Sequence, residues 1–475
     1  MDVARAPGGV ELRPLAGPIE RPYGGAPALP AHAATAWSRA AAGFLSLFVL
    51  LMPFSRSPGI LGLNLQWSDV AALGFLLTSA AAGVWRRPGH RPALFACLIY
   101  LALLLPSFAR THDVPGSLLE LVKTVYLVVL GLAMARWTAD ERDWNRLMRV
   151  SAATTTAMII LTLGVWVWAV WLHEIPGQLA VAMDVPSVGH AVRVNGLLHS
   201  PTFLANYFTM GVPLLAGYVI ARSSRPRALG WGTIAAGVLA TAATVSHSLA
   251  GCLAAAALVA PRTTRWDRWG RRGLWGLAVG VFIFGLVSTT VAVHEVRTSR
   301  ASAPGSLASL ADHEFAGPTG AGETLSVQVR YTRVVYSLLK QFAWEAWRRH
   351  PWVGIGLDQF PYEVRAAFQA GRIHAYYAGG VDPHSTWFGA MAETGLLGLL
   401  GLAGFWIMLL RAAWPSRRHI ARASEAWRLR APLAGLVGLL VNSVHVDIMH
   451  FRFLWMGAAL VLAVRASNPR PTRHV

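Results

Sequence analysis

The feature that most constrains this chain is a succession of about twelve apolar segments, each close to the length of a membrane-crossing helix. The hydrocarbon core of a bilayer is about 30 Å thick, which takes about 20 helical residues. The segments lie at residues 40–55, 67–85, 93–109, 117–135, 148–173, 197–221, 230–246, 249–261, 273–293, 384–411, 431–446 and 452–465. Only 14% of residues are charged, against about 25% in soluble domains. We therefore predict an all-α, polytopic integral membrane protein.

The distribution of arginine predicts the orientation of these segments. Arginine-rich connections follow the second, fourth, sixth, eighth and tenth segments, and the chain ends in another basic stretch. The short connections between them carry single arginines, at Arg56, Arg110, Arg193 and Arg452. Because basic connections stay in the cytoplasm, both termini are predicted to be cytoplasmic, and residues 294–383 are predicted to form a large loop on the outer face.

The chain divides into five predicted regions. They are a disordered cytoplasmic leader at 1–35, nine membrane helices in 36–293, the outer loop at 294–383, three membrane helices in 384–467 and a cytoplasmic tail at 468–475. Within the loop, residues 330–349 lack Gly and Pro and are predicted to be helical, whereas the Ser/Ala/Gly-rich residues 300–322 are predicted to be mobile.

Charge and cysteine usage exclude several functions. The net charge of +19 does not indicate nucleic-acid binding, because the basic residues form short clusters between apolar runs rather than one soluble module. Cys97 and Cys252 both fall in apolar segments and have no metal-ligand spacing. No Asp-x-Asp, Walker or GxSxG motif is present. The sequence thus predicts a lipid bilayer as partner, with no nucleic acid, metal or cofactor.

Arginines are usually concentrated in cytoplasmic connections, so arginines predicted on the outer face are candidates for a specific role. Arg193 precedes the sixth segment, and Arg330 and Arg333 are predicted to share one face at the start of the loop helix. Guanidinium groups on that face suit a phosphate or a diphosphate. The alternative is that they anchor the protein at the lipid headgroups.

His384 begins the tenth segment, where its near-neutral pKa would suit a general base at the membrane surface. The alternative is an ordinary capping or interface residue. Glu393 follows nine residues later, half a turn away on a helix, so it is predicted to make a buried polar contact rather than to assist His384.

Two further groups of charged residues have both structural and functional interpretations. Glu120 and Lys123 lie three residues apart in the fourth segment. They are interpreted either as a functional pair within the membrane or as an internal ion pair that holds helices together. A second group occupies the last outer connection and is predicted to be a polar turn, with metal binding as the less favoured alternative. Its members are His445, Asp447, His450 and Arg452.

Three stretches, in this order, resemble the O-antigen ligase and polymerase superfamily of bacterial envelope enzymes. The first, residues 193–207, opens with Arg193 and contains His199 and Asn206. The second is residues 350–360, and the third, residues 384–398, opens with His384 and contains Glu393. Each stretch alone is loose, but their order around the outer loop is more specific, and the resemblance covers roughly residues 40–465.

The resemblance implies an all-helical architecture of the glycosyltransferase C type. It also implies a metal-independent, inverting transfer of a glycan from undecaprenyl diphosphate to an acceptor hydroxyl on the periplasmic face of the bacterial inner membrane. By matched position, Arg193 is the first diphosphate ligand and His384 the acceptor base. The second diphosphate ligand is Arg330 or Arg333, with Arg330 favoured. Supporting roles are possible for Glu393, Lys123, His199 and Asn206.

The resemblance leaves the acceptor open, as lipid A–core, another glycan repeat or a protein serine. Two other classes of function remain. A transporter or flippase for a lipid-linked sugar would place its sensitive residues at the bilayer midplane. An envelope scaffold would tolerate substitution of both Arg193 and His384.

Overall fold

The computed structural model describes residues 36–54, 66–87, 89–172, 178–185, 189–198, 200–288, 292–298, 326–332, 335–370, 383–413 and 423–466. Fourteen α-helices lie in these ranges. They are α1 (Ala36–Leu51), α2 (Trp67–Ala81), α3 (Arg91–Leu104), α4 (Val114–Trp137), α5 (Glu141–Leu172), α6 (Pro201–Arg222), α7 (Pro226–Ala242), α8 (Leu249–Val259), α9 (Arg265–Ser288), α10 (Val335–Arg349), α11 (Phe360–Gln369), α12 (Thr386–Ala413), α13 (Ala423–Asn442) and α14 (Arg452–Ala466).

Each predicted membrane segment overlaps one of these helices, namely α1 to α9 or α12 to α14. Six stretches are long and apolar enough to cross a membrane: α3 with its 3-10 extension to Arg110, α4, α5, α6, α9 and α12. Four more, α1, α2, α8 and α14, are apolar but shorter. The chain is therefore a membrane-embedded helical protein, whereas the count of twelve spans and the glycosyltransferase C-type architecture remain predictions.

Two antiparallel hairpins interrupt the helices, in contrast to the predicted all-α fold. Strands β1 (Ala180–Val185) and β2 (Gly189–Val194) pair between α5 and α6. Strands β3 (Ala292–Thr298) and β4 (Ser326–Thr332) pair between α9 and α10. Arg330 thus lies on a strand opposite His294, and the predicted helical start at Arg330 is wrong because Val327, Val329 and Tyr331 alternate with a period of two.

Helix α6 lies at the centre of the bundle and α9 at its edge. The most apolar window of α6 is 78% buried, against 11% for α9. Small residues allow close contacts around the centre: a β-carbon at Gly251 in α8 would clash with the carbonyl oxygen of Gly438 in α13. Helix α9 therefore presents most of its apolar surface to lipid.

A buried amide network ties α6, α8 and α13 together. Asn442 Nδ2 lies 2.9 Å from Asn206 Oδ1 and 3.1 Å from the Ser248 carbonyl. Asn442 Oδ1 accepts the backbone N–H of Gly251 at 3.0 Å, and Asn206 Nδ2 donates to Ser248 Oγ at 2.9 Å. All four residues are buried. The network fixes the ends of α8 and α13 relative to each other.

We predict that Asn442→Leu lowers the thermal midpoint of the purified protein. The substitution leaves the Gly251 N–H and the Asn206 amide without their partner, and each unsatisfied buried group costs about 1–3 kcal/mol. Differential scanning fluorimetry in detergent measures the change. The matched control is Asn145→Leu, because the Asn145 side chain accepts its hydrogen bond from the exposed Arg222 and takes no part in the amide network. Equal midpoints for the two variants would contradict the prediction.

Candidate functional site

The end of the bundle that carries β1–β2 also carries the 243–248 turn, the 443–451 connection and the segment entering α12; we call it the hairpin end. The backbone N–H of Val194 donates to the Ala243 carbonyl at 3.0 Å, which docks β2 on the 243–248 turn. The backbone N–H of Thr386 donates to the Ser443 carbonyl at 3.0 Å. These contacts bring connections that are distant in sequence to one surface.

Arg193 is held at this surface by backbone contacts. It is the penultimate residue of β2, and its Nε donates to the Thr244 carbonyl at 3.2 Å. The chain then turns into α6 through Asn195, whose Nδ2 donates to the carbonyls of Gln178 and Leu198, and through Gly196 at φ +58°. The motif around Arg193 therefore builds a rigid turn that fixes the position of the guanidinium.

Two histidines lie close together at the hairpin end: His247 just before α8 and His445 just after α13. The ring centroids of His247 and His445 are 6.3 Å apart. The Phe282 ring of α9 lies 5.3 Å from His445, and the Phe284 ring lies 6.3 Å from His247. His445 is only 9% exposed, and neither of its ring nitrogens has a hydrogen-bond partner among the described residues. Such a buried donor and acceptor pair calls for a ligand or ordered water.

Lys340 of α10 completes a set that we call the basic cluster: Arg193, His247, Lys340 and His445. Burial, followed by the charges of Arg193 and Lys340, lowers the pKa of His247. Burial, followed by Lys340 and His247, lowers the pKa of His445 to about 4. Burial also lowers the pKa of Lys340. Both histidines are therefore neutral at pH 7, and the charges acting on them are positive.

The basic cluster has the electrostatics of an anion site. Arginine and lysine supply fixed positive charge, and a bound phosphate would favour protonation of the nearby imidazoles. The exposed side of α9 adjoins the cluster, since Phe284 packs near His247 and is itself 66% exposed. An anion held here could therefore carry an apolar chain that lies in the bilayer.

His384 lies two residues before α12, in a left-handed backbone conformation at φ +47°. This conformation is uncommon for residues other than glycine and is enriched at functional positions. The next two residues bind the 443–451 connection: Ser385 Oγ donates to the Ser443 carbonyl at 3.3 Å, and Thr386 Oγ1 donates to the Val446 carbonyl at 3.1 Å. The same connection carries His445, so the His384 segment and the basic cluster share one support.

Asp447 and His450 lock this connection to α4. Asp447 Oδ1 lies 3.1 Å from Thr386 Oγ1, and Asp447 Oδ2 lies 3.2 Å from His450 Nε2. His450 Nε2 also lies 3.3 Å from Glu120 Oε1, while Lys123 Nζ binds Glu120 Oε2 at 3.1 Å. Lys123 therefore pairs with Glu120 within α4, and it is Glu120 that joins α4 to the 443–451 connection.

This network predicts a loss of stability at alkaline pH. Burial alone would lower the pKa of His450, but Asp447 and Glu120 more than offset it and raise the pKa from 6.5 to about 9. A raised pKa contributes stability that is complete below pH 6.5 and is lost as the pH rises through about 9. The thermal midpoint should fall across this window.

His450→Gln should abolish that alkaline fall, whereas His112→Gln, at an exposed histidine of the same end, should preserve it. Scanning fluorimetry in detergent between pH 6 and pH 10 makes the comparison. An unchanged pH profile in His450→Gln would show that the Asp447–His450–Glu120 contacts add no stability.

The other predicted site residues lie elsewhere. Glu393 accepts the backbone N–H groups of Asp358 and, at 3.3 Å, Phe360, so it caps α11 as a polar contact that is half-buried rather than fully buried. Asn206 belongs to the amide network beneath the basic cluster. Arg330 lies on β4, five residues before α10, and Arg333 and His199 lie outside the described residues.

Three members of the basic cluster were missed as functional residues. Lys340 is one of two lysines in the chain and the only one in residues 294–383, which was an available signal. His247 lies between the seventh and eighth predicted segments, where nothing in the local sequence marks it, and His445 was assigned to a polar turn with metal binding as the less favoured alternative. Their approach depends on the docking of β2, α10 and α13, which no local pattern reveals.

Comparison of the chain with models of known protein families and with characterised proteins finds no match.

Proposed function

We propose that this protein is a membrane-embedded glycan transferase that uses a lipid diphosphate-linked donor at the hairpin end, which faces the periplasm. The observation that carries the proposal is the basic cluster, with the unpartnered and buried imidazole of His445 and the fixed guanidinium of Arg193. An anionic donor group would accept hydrogen bonds from the Arg193 guanidinium and would give the His445 imidazole a partner. The adjoining lipid-facing surface of α9 favours an anion attached to a prenyl chain.

The proposed reaction needs only the side chains at this end. His384 accepts the proton of an acceptor hydroxyl as its oxygen attacks the anomeric carbon from the face opposite the diphosphate. The bond between the anomeric carbon and the diphosphate oxygen breaks, the configuration inverts, and the lipid diphosphate leaves. Arg193 and Lys340 stabilise the negative charge that develops on that oxygen. The acceptor is a lipid-linked core sugar, another glycan repeat or a protein serine.

The location of the charged residues favours a transferase over a transporter. A transporter for a lipid-linked sugar would place its ligand groups near the bilayer midplane. In the described parts of the chain, the basic cluster and the His384 segment lie outside the apolar helices that are candidates to cross the membrane. The Asp69–Arg452 ion pair lies near the ends of α2 and α14.

Glycan analysis of the source organism tests the proposal. Envelope glycans from a strain lacking the gene, with and without the wild-type gene restored, are separated by gel electrophoresis. A single repeat left on its acceptor would identify a polymerase, and long chains left on the lipid carrier would identify a ligase. An unaltered glycan profile, together with unaltered glycosylation of envelope proteins, would overturn the proposal.

A further inference from the structure

The end of the bundle opposite the hairpin end carries a second group of basic side chains, where α8 ends and α9 begins. Arg430 of α13 reaches across to α8: its Nε donates to the Leu258 carbonyl at 2.7 Å, and its Nη2 donates to the Ala260 carbonyl at 2.7 Å. Arg262 Nη2 donates to the same Leu258 carbonyl at 3.3 Å. Two guanidinium groups therefore meet at one oxygen atom.

Arg271 of α9 is the third member of this group. Its charge acts on both Arg262 and Arg430, and its Nε is buried without a hydrogen-bond partner among the described residues. Burial, followed by the charge of Arg271, lowers the pKa of Arg262. Three cations are thus held together against their mutual repulsion, which indicates that a counter-ion is bound in the membrane.

The neighbouring carboxylate does not supply that counter-ion. Asp267 lies one turn before Arg271, but its Oδ1 accepts from Arg227 and Trp231, and its Oδ2 accepts from Thr263 and the Thr264 N–H. Neither Arg262 nor Arg430 has Asp267 among the charges that act on it. The carboxylate is occupied in fixing the start of α9.

The surroundings of the group indicate the edge of a bilayer. Trp275 lies one turn beyond Arg271 on the same face of α9 and is 40% exposed, and Trp269 is 54% exposed. Exposed tryptophans on a lipid-facing helix are typical of the headgroup region. Basic pockets between membrane helices at this depth bind the phosphates of anionic lipids.

We infer that Arg262, Arg271 and Arg430 form a binding site for the phosphate of an anionic phospholipid in the leaflet opposite the hairpin end. The site is independent of the proposed transfer reaction. A bound headgroup would bridge α8, α9 and α13, and would satisfy Arg271 Nε.

Lipid titration of the delipidated, purified protein tests this site. Binding of phosphatidylglycerol and of phosphatidylcholine is measured by native mass spectrometry, for wild type and for Arg262→Gln/Arg271→Gln. The control is Arg265→Gln/Arg272→Gln, which removes two charges from α9 and leaves the three arginines of the site in place. Wild type and control should bind phosphatidylglycerol about thirty-fold more tightly than the Arg262/Arg271 variant, and phosphatidylcholine should show no such difference.

Two results would overturn the inference. Equal binding of phosphatidylglycerol by both double variants would mean that the net positive charge of this end attracts the lipid without a defined site. Equal thermal protection of wild type by inorganic phosphate and by phosphatidylglycerol would mean a site for free anions. Arg271→Gln alone is measured in parallel, because Arg271 Nε makes no hydrogen bond to the described residues whose loss could unfold the protein.

Discussion

Replacement of His384 by asparagine is expected to lower glycan transfer by about 10²–10⁴-fold, the usual contribution of general-base catalysis. Asparagine is the suitable substitution because it tolerates the left-handed conformation at φ +47°, whereas it cannot accept the acceptor's proton at neutral pH. Transfer is measured with purified protein, a lipid diphosphate-linked glycan extracted from the source organism and the matching acceptor.

The control for this prediction is His112→Asn, at an exposed histidine between α3 and α4, which should transfer at the wild-type rate. The thermal midpoint of His384→Asn is measured on the same preparation, so that a loss of transfer is attributed to catalysis only where the protein remains folded. A fully active and folded His384→Asn protein would remove His384 from the mechanism and would favour the transporter or scaffold alternatives.

Arg193→Gln is expected to lower transfer by about 10²–10³-fold, because the variant loses a fixed charge at the oxygen of the departing diphosphate. Arg193→Lys should recover only part of this loss, since an ammonium group cannot form the paired hydrogen bonds of a guanidinium. Lys340→Gln should act in the same direction by a smaller factor, because a flexible ammonium group is less firmly placed.

Arg110→Gln is the matched control, because Arg110 is an exposed arginine in the connection between α3 and α4 and is not part of the basic cluster. Its transfer rate should stay within about twofold of wild type, in line with the small effects of exposed charges. Equal losses in Arg110→Gln and Arg193→Gln would show that the net charge of the surface matters, and not a defined diphosphate site.

The membrane helices could be predicted because length and apolar composition determine them locally. Each predicted segment overlaps a helix, including α7 and α8, which only a six-residue turn separates. The hairpins escaped because their strands are six or seven residues long. The alternation of Val327, Val329 and Tyr331 was the available signal for β4. The absence of Gly and Pro from residues 330–349 favoured a helix instead, which is correct only from Val335 onward.

The site could be predicted only in part, for reasons of packing. Arg193 and His384 could be identified from the sequence alone. Arg193 is an arginine in a connection predicted to lie outside the cytoplasm, and His384 begins a membrane segment. The cluster around Arg193 arises from tertiary contacts: β2 on the 243–248 turn, and the α12 start on the 443–451 connection. Periodicity cannot reveal that His247 and His445 come within ring-contact distance, because 198 residues separate them in sequence.

If the basic cluster binds the diphosphate of a prenyl carrier, the protein should distinguish a prenyl diphosphate from the corresponding alcohol. Farnesyl diphosphate and farnesol are titrated into the purified protein in nanodiscs, and the dissociation constants of wild type and Arg193→Gln/Lys340→Gln are determined. Wild type should prefer the diphosphate over the alcohol by about tenfold or more, and the double variant should lose this preference. Equal affinity of wild type for the two compounds would contradict this expectation.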